Sequence, residues 1–511
     1  MSVSPISKCT DDVLLKIFSI GGDIYRDRRP FAKRAHKTSP ISITRRSSQV
    51  CKGWRQLILG SPSLWGKLLD LNDLNTGSDR WRKEVLSRVK QAMLHVKVDL
   101  EPSQPAAMAL LFDILHEKWP TIRNLEVSIL RRGDYDDKRW LAIHRPTENL
   151  RSITLDFLRD VPEPLRSTHN VLFSGRAPSL KFVTIRHMNF QLPAQWFPQL
   201  YTFQRLGQCR TSQLMESMSS MPFLEYLELF ELGSDDAEFG RTISLPRLKL
   251  LVISGQFAAC LRVLSHLTVS PGCGLEIDWS NHREDTITDA DLFAASQVLT
   301  QYCKSYFKVH IPTSIKMSIR WTFFDFCNIF EDINIPSFNL RVVNSNGFSS
   351  MDPFFKAFLD CPFSKVTKLF FESDPNVTFC SANPIFSNFL SLFSTLDSLT
   401  GRPANLQTVV DIAAYNDSIP FPALKSIRIF HLTDESLPQI IGFLNWRQAV
   451  SAPIQILSLD YRPRLLRLNF SALEQYSGLK VRCQTPGGLE LLEYICGSGT
   501  PEQINFRHEE N

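Results

Sequence analysis

The chain begins with apolar residues spaced three and four positions apart, which is the spacing of one face of an α-helix. Two such stripes occur within the first 60 residues: Val13, Leu14, Ile17 and Phe18, then Val50, Trp54, Leu57 and Ile58. Asp11 and Asp12 fall in the first turn of the earlier segment, where negative charge is favourable beside the positive end of a helix dipole. The pattern predicts short amphipathic helices that pack together through their stripes.

The second stripe is followed by Gly60, Ser61 and Pro62. Glycine commonly ends a helix by adopting the left-handed conformation, serine caps the start of the next helix, and proline suits its first position. The sequence therefore predicts that a second short helix begins at Pro62 and folds back on the first. We expect the core of this small lobe to bury Cys51, Trp54 and Trp65.

From about residue 120 the pattern changes to L-x-x-L-x-L, usually announced by a proline two residues earlier. The clear copies have the apolar triplets Ile122-Leu125-Val127, Leu150-Ile153-Leu155, Leu180-Val183-Ile185, Leu224-Leu227-Leu229, Leu248-Leu251-Ile253, Leu424-Ile427-Ile429 and Ile454-Leu457-Leu459. Weaker copies occur at 198–203 and 366–371, and amphipathic helical segments such as 106–119 and 288–303 separate the copies. A strand followed by a helix at roughly 24-residue spacing is typical of leucine-rich repeats, which stack because no single repeat buries its own apolar side.

These patterns predict an α/β protein with a small N-terminal helical domain followed by a curved leucine-rich-repeat-like solenoid. The solenoid is expected to carry a parallel sheet on its concave face. The predicted boundaries are 1–70 for the helical domain, 71–119 for a helical linker or cap, 120–485 for the degenerate repeats and 486–511 for a C-terminal cap and tail. No repeat copy is assigned between about 270 and 350.

Composition narrows the class of protein. Hydrophobic residues at 43% and charged residues at 21% are ordinary globular values, and a net charge of +5 does not indicate a nucleic-acid-binding protein. Basic residues cluster at 23–46, which favours a solvated loop over a nuclear-localisation or phosphate-binding patch. The eleven cysteines form no C-x-x-C pair, and the chain shows neither a signal sequence nor a membrane-length apolar run. We therefore expect a cytoplasmic or nuclear protein with free thiols.

Motifs for catalysis are not found. There is no glycine-rich phosphate loop, no G-x-S-x-G elbow and no H-E-x-x-H sequence. The nearest approach to a metal site is Cys260, His266, Cys273 and His282, but its spacings do not match the common zinc modules. We expect packing thiols and surface histidines there, and no catalytic residue, cofactor or metal. An enzyme whose active site is dispersed through the repeats is the least favoured hypothesis.

Segments 10–18 and 48–68 resemble an F-box in the form abundant in mushroom-forming fungi, roughly L-P-x-E-L-L-x-E-I-F followed by V-C-x-x-W-R-x-x-A-x-x-x-P-x-L-W. The residues on that pattern are Leu14, Leu15, Ile17, Phe18, Val50, Cys51, Trp54, Arg55, Pro62, Leu64 and Trp65. The resemblance implies a substrate-recruiting subunit of a cullin–RING (SCF-type) ubiquitin ligase, which binds the adaptor subunit, and through it the cullin, and recruits a protein substrate through the repeats. The adaptor contacts that it implies are Leu14, Leu15, Ile17, Phe18, Val50, Trp54, Pro62, Leu64 and Trp65.

A second hypothesis is a non-catalytic repeat scaffold whose F-box is a remnant with no ligase role. Solvent exposure distinguishes the two, because docking requires Leu14, Phe18 or Leu64 to face solvent in part. Burial of all three against the repeats would favour the scaffold.

A substrate-binding surface is predicted from the alternation of side chains along each strand. Residues between the apolar positions of a repeat face the other side of the sheet, and the candidates are Phe182, Arg186, Tyr226, Glu228, Phe230, Arg428 and Phe430. Aromatic and arginine side chains are the ones that protein-binding hot spots favour. The alternative is that loops or C-terminal residues of the chain itself cover this face.

Overall fold

The structure is a computed structural model. It describes residue 6 and residues 9–25, 39–129, 131–158, 160–167, 170–207, 210–233, 240–280, 287–329, 336–374, 383–416, 419–432, 436–460, 470–484 and 491–500. The chain divides into two compact units, residues 1–248 and 249–511. Each unit is described by itself below.

Unit 1 begins with a lobe of four short helices, as the apolar stripes predict. They are α1 (Asp11–Gly21), α2 (Pro40–Ser47), α3 (Lys52–Leu59) and α4 (Pro62–Trp65). Helix α2 occupies the end of the segment predicted as a basic loop, so that prediction is wrong from residue 40 onwards, and residues 26–38 lie outside the described part.

The predicted left-handed helix end at Gly60 is also wrong. Its φ is −83°, and its N–H donates to the Gln56 carbonyl at 2.9 Å. Glycine is favoured here for space, because a Cβ at this position would lie 2.9 Å from the same carbonyl oxygen. Pro62 does occupy the first turn of α4, where a missing N–H costs no hydrogen bond.

The rest of unit 1 builds a parallel sheet. In chain order its elements are β1 (Leu69–Asp70), α5 (Leu71–Asn75), α6 (Asp79–Val89), β2 (Leu94–Leu100), α7 (Pro105–Glu117), β3 (Ile122–Ile129), β4 (Ser152–Asp156), β5 (Phe182–Arg186), β6 (Thr202–Leu206), α8 (Thr211–Met218), β7 (Tyr226–Leu232) and β8 (Ile243–Leu245). Strands β1 to β7 pair in that order, and every pair is parallel. Between β3 and β6 the strands are connected by loops that contain short 3₁₀ turns instead of α-helices.

The sheet starts earlier than predicted. The segment 71–119, expected to be a purely helical linker, contains β2, which pairs with both β1 and β3. Four apolar residues alternate in this strand and are fully or almost fully buried: Leu94, Val96, Val98 and Leu100. Strict alternation is a strand signal, and Met93, Val96 and Val98 have the spacing of the other copies, but this segment lacks the preceding proline.

Unit 2 repeats the strand–helix arrangement with longer helices. In chain order its elements are β9 (Leu250–Gly255), α9 (Phe257–His266), β10 (Leu267–Val269), β11 (Gly274–Ser280), α10 (Asp289–Val309), β12 (Ser314–Arg320), β13 (Phe323–Asn328), β14 (Phe338–Val343), α11 (Asp352–Phe358), β15 (Lys368–Ser373), α12 (Pro384–Ser391), β16 (Ser398–Gly401), α13 (Pro403–Asn416), β17 (Ser426–Ile429), α14 (Ser436–Ala449), β18 (Ile456–Leu459), β19 (Lys480–Gln484) and β20 (Leu491–Ile495). Strand β20, in the segment predicted as a C-terminal cap, lies antiparallel on β19.

The region 270–350, where no repeat could be assigned, contains a β-hairpin inside the otherwise largely parallel sheet. Strands β12 and β13 pair antiparallel, and β13 also pairs antiparallel with β14. The order across this part of the sheet is β9, β11, β14, β13, β12, β15. The pairs β9–β11, β11–β14 and β12–β15 are parallel. The prediction of a parallel sheet over 120–485 is therefore wrong at β13, while β15 to β19 are parallel in chain order.

The core lies on the side of each sheet that carries the predicted triplets. All seven clear triplets are buried, with no member more than 7% exposed. In unit 2 the space between the strands and the helices α10, α11 and α12 is filled largely by phenylalanine. Rings of Phe326 and Phe358 stack with centroids 4.1 Å apart, and Phe307, Phe338, Phe363 and Phe389 surround them. The abundance of phenylalanine in the sequence, 36 residues, therefore serves packing in part.

Arg447 on α14 is a fully buried cation. Its guanidinium donates to the carbonyl oxygens of Ala452 at 2.7 Å, Leu424 at 3.1 Å and Phe421 at 3.3 Å. Burial lowers the pKa of Arg447. The side chain thus ties the end of α14 to the loop before β17.

Replacing Arg447 with methionine should destabilise unit 2, because two buried carbonyl oxygens and one part-buried carbonyl oxygen would lose their donor. Leaving buried polar groups unsatisfied costs about 1–3 kcal/mol each, so we expect a loss of about 3 kcal/mol or more. The measurement is the melting temperature of the full chain, with Lys304→Met, at an exposed position on α10, as the control. Equal melting temperatures for the two variants would contradict this role.

Candidate functional site

Trp65 is the centre of the N-terminal lobe. It is only 2% exposed, and its indole N–H donates to the Ile58 carbonyl at 2.9 Å. Its ring meets Trp81 of α6 edge-on at 6.3 Å, and the Arg88 guanidinium lies 5.3 Å from its centroid. The predicted burial of Trp65 is confirmed, and the contacts fix α4 against both α3 and α6.

Trp54 and Cys51 differ from prediction. Trp54 is only half-buried, with one edge contact to Phe18 at 4.8 Å between ring centroids. Cys51 is exposed because it forms the N-cap of α3, where its sulfur accepts the Trp54 backbone N–H at 3.4 Å. A sulfur used as a cap must lie at the helix end, outside the packed stripe, which is why the expected burial is wrong.

Helix α1 has two apolar sides. Leu14 and Phe18 are buried, and the helix packs on α2, α3 and α4. Val13, Ile17 and Ile20 are each 47% exposed and fall on one stripe at spacings of four and three. Ile43 of α2 is also exposed, and its Cγ2 lies 3.7 Å from the position that a Cβ on Gly21 would occupy. The stripe on α1 therefore continues onto α2. We call Val13, Ile17, Ile20 and Ile43 the aliphatic face.

The residues of the F-box-like pattern are therefore distributed between core and surface. Leu14, Phe18, Leu64 and Trp65 are buried; Leu15, Trp54 and Pro62 are partly exposed; Ile17 and Val50 are exposed. Burial of Leu14, Phe18 and Leu64 means that the exposure expected of a docking surface is not found at those three positions. Phe18 contacts Trp54, and Leu64 lies beside Gly22, so Phe18 and Leu64 contact other residues of the lobe. The exposed apolar surface comes from the aliphatic face instead.

The lobe is attached to the sheet of unit 1 through polar contacts with β2. The Tyr25 hydroxyl donates to the Val96 carbonyl at 2.8 Å, and His95 Nδ1 lies 3.4 Å from Asp23 Oδ1. Burial alone would raise the pKa of Asp23, but hydrogen bonds from His95 and from the Tyr25 N–H hold that pKa below its usual value. These contacts hold the lobe in a fixed position on the first long strand of the sheet.

The predicted substrate residues of unit 1 lie together on the sheet face opposite the core. Strand register places Phe182, Thr202 and Tyr226 in one row across three strands. A parallel row contains Arg186, Leu206 and Phe230, and Glu228 lies between the two rows. A strand separates Phe182 from Tyr226, so the aromatic stripe is interrupted by Thr202 and Leu206. Arg186 pairs with Asp156 at 3.1 Å.

The other two predicted residues, Arg428 and Phe430, belong to unit 2. Arg428 pairs with Asp460 at 2.7 Å, and Phe430 stacks on Phe370 with centroids 5.2 Å apart. The predicted surface therefore divides into one group on each unit.

Sequence reasoning missed a cavity of about 350 Å³ on the corresponding face of unit 2. We call it the basic cavity; it is lined by Lys316, Ser318 and Arg320 of β12, Thr322 of the hairpin turn, Phe323 and Asp325 of β13, Arg341 and Val343 of β14, and Glu372 of β15. The available signal was the alternation in S-I-K-M-S-I-R (314–320), where polar residues occupy every second position.

Two of the buried cysteines are held as neutral thiols. Burial raises the pKa of Cys273 to about 12 and that of Cys303 well above its usual value, so these thiols stay protonated. Within the described ranges no three His, Cys, Asp or Glu side chains come together as a metal site. His282, one of the four residues considered for zinc, lies outside those ranges. Across the helices that the structure describes, none combines the length and apolar character needed to cross a bilayer.

Comparison with known proteins adds little to the geometry. No known family model matches the chain, and no curated protein sequence matches it. Among solved structures it is similar to the leucine-rich repeat-containing protein LegL7 from Legionella pneumophila, at 14% sequence identity over 70% of this chain and 90% of that one, with a TM-score of 0.25. The leucine-rich-repeat-like character of this chain therefore rests on its own parallel strands and buried triplets.

Replacing each of the two tryptophans with alanine should show how much each side chain contributes to the stability of the lobe. Trp65→Ala removes a fully packed indole and should cost about 3–5 kcal/mol, whereas Trp54→Ala should cost clearly less because that side chain is only partly buried. The check is the melting temperature of each variant. Equal losses would show that Trp54 carries more of the lobe than its exposure indicates.

Proposed function

We propose that this chain is the substrate-recruiting F-box subunit of a cullin–RING (SCF-type) ubiquitin ligase. Its N-terminal lobe would bind the adaptor subunit, and its repeats would bind a protein substrate. The observation that carries the proposal is the aliphatic face, which lies on the helix where the F-box-like pattern begins. Several exposed aliphatic side chains in one patch are typical of a protein interface.

The physical basis of adaptor binding would be burial of apolar area. Complete burial of a valine or isoleucine side chain contributes about 1.5–3 kcal/mol, and the aliphatic face offers four side chains that are 37–47% exposed. Val50, 63% exposed, adds a fifth on the same lobe. Burying such a patch contributes a few kcal/mol to the free energy of binding, from which the entropy lost on association must be subtracted.

The chain would contribute proximity and not chemistry. Holding a substrate near the ubiquitin-carrying enzyme raises the effective concentration of its lysines, and a rigid mount makes this more efficient. The attachment of the lobe to β2 through Tyr25 and Asp23 is suited to that task. The protein would act in the cytoplasm or nucleus, where such ligases operate.

The second candidate is a non-catalytic repeat scaffold with a remnant F-box. Leu14, Phe18 and Leu64 are buried, but the contacts of Phe18 and Leu64 are with other residues of the lobe, whereas the scaffold predicts burial against the repeats. Both candidates bind proteins through the repeats, and they differ in whether the lobe binds the adaptor.

Replacing Ile17 and Ile20 together with aspartate should abolish adaptor binding. Both side chains are about half exposed, so the fold should tolerate the charges, while an apolar interface would not. The measurement is calorimetric titration of the full chain with purified adaptor. Lys83→Asp, at an exposed position on α6, should bind normally. No binding by the unaltered chain would leave only the scaffold.

Changing Tyr226 and Phe230 together to alanine should abolish substrate capture and leave adaptor binding intact. These side chains belong to the predicted hot spot on unit 1 and contribute little to the core, because both lie on the sheet face opposite it. Quantitative cross-linking in cells would compare the proteins bound by the two forms. The control is Tyr415→Ala, an exposed aromatic on α13. Equal loss of adaptor and substrate would mean that the double variant unfolds unit 1.

A further inference from the structure

The basic cavity lies on the face of the unit 2 sheet opposite the phenylalanine core. Its lining residues alternate along β12, β13 and β14 with residues that are fully buried on the other side. The hairpin creates it, because β13 places Asp325 directly beside Ser318 of β12 and Arg341 of β14. A side chain that crosses this face therefore meets groups from four adjacent strands.

In the basic cavity the negative charges are buried and the positive charges are exposed. The carboxylates of Asp325 and Glu372 form the floor, with side chains 5% and 12% exposed. The cations above them are far more accessible: the side chain of Lys316 is 40% exposed, that of Arg341 46% and that of Arg320 52%. A partner that approaches this face meets positive charge first.

The floor positions the cations without using all their donors. Lys316 Nζ lies 3.6 Å and Arg341 Nε 3.8 Å from Asp325, and Arg320 lies 3.1 Å from Glu372. Each guanidinium has five N–H donors, so most remain available to a ligand. Contacts between cations and rings hold the same side chains from the flanks, Arg341 at 5.6 Å from the Phe323 centroid and Lys316 at 5.9 Å from that of Phe370.

The charge balance favours an anion. Three cations line the cavity against two carboxylates, and Arg402 also pairs with Glu372 from outside the lining. Asp278 of β11 lies next to Arg341 in the strand register, beyond the cavity. It sets the limit of the positive surface on that side.

We propose that the basic cavity binds an acidic side chain, a carboxylate or a phosphate, on a segment of a protein partner. Planar guanidinium groups recognise both anions through paired hydrogen bonds. The positive surface ends at Asp278, whereas nucleic acid binding requires cations that follow several phosphates. This inference rests on the proposed function for the identity of the partner as a recruited substrate, but the site itself can be tested without adaptor.

The test uses three fluorescein-labelled 12-residue peptides with four Gly-Ser-X repeats, in which X is glutamate, phosphoserine or glutamine. Fluorescence anisotropy with the purified full chain should show binding of one or both acidic peptides and none of the glutamine peptide. Arg320→Gln combined with Arg341→Gln should weaken that binding by about tenfold or more. Lys304→Gln, which removes an exposed charge on α10, should leave it unchanged. The tighter of the two acidic peptides identifies the preferred anion.

Several results would overturn the proposal. They are the absence of binding by both acidic peptides, equal binding by the double arginine variant with an unchanged melting temperature, and tighter binding of a single-stranded oligonucleotide of equal charge. Lys316→Glu provides a second variant, should the arginine pair prove necessary for folding. If the chain binds the acidic peptides but does not bind the adaptor, the proposed ligase role is wrong and the proposed anion site is supported.

Discussion

The parallel register of the repeat strands is the constraint on which the rest of the molecule depends. No strand–turn unit can bury its own apolar side, so each triplet must stack on the next. In unit 1 this places Leu125, Ile153, Val183, Phe203 and Leu227 in one buried row. Because side chains alternate along a strand, the same register assembles a second set of rows on the opposite face, and the predicted substrate residues belong to that set.

The sequence allowed the repeat core to be predicted because L-x-x-L-x-L combines a turn with a strand. The sequence could not reveal strands that lack either the turn signal or the strand pattern. Strand β2 and the hairpin β12–β13 show plain alternation, and β16 has Gly401 at the third apolar position. A Cβ there would lie 2.7 Å from the Phe371 carbonyl oxygen, so close strand packing replaces the usual aliphatic residue. The basic cavity was missed for the same reason, since it lies on the hairpin.

Within the N-terminal lobe the pattern predicted helices but not which side of α1 faces inward. Apolar residues occur on both sides of that helix, and periodicity alone cannot choose between them. The choice is made by tertiary contacts, because Phe18 packs on Trp54 and leaves Ile17 outside. The two tryptophans differ for a related reason: Trp65 has an indole partner in α6, whereas the aromatic contact of Trp54 among the described residues is an edge contact with Phe18.

The aliphatic face and the basic cavity differ in physical kind. The aliphatic face offers apolar area, whose contribution scales with the area removed from water and depends little on salt. The basic cavity offers charges held by buried carboxylates, and its contribution is screened over about 8–10 Å at physiological ionic strength. Burying Asp325 and Glu372 is costly without partners, and the cations that offset this cost are the ones presented to solvent. The ion pairs that keep the floor stable therefore also define what the cavity can bind.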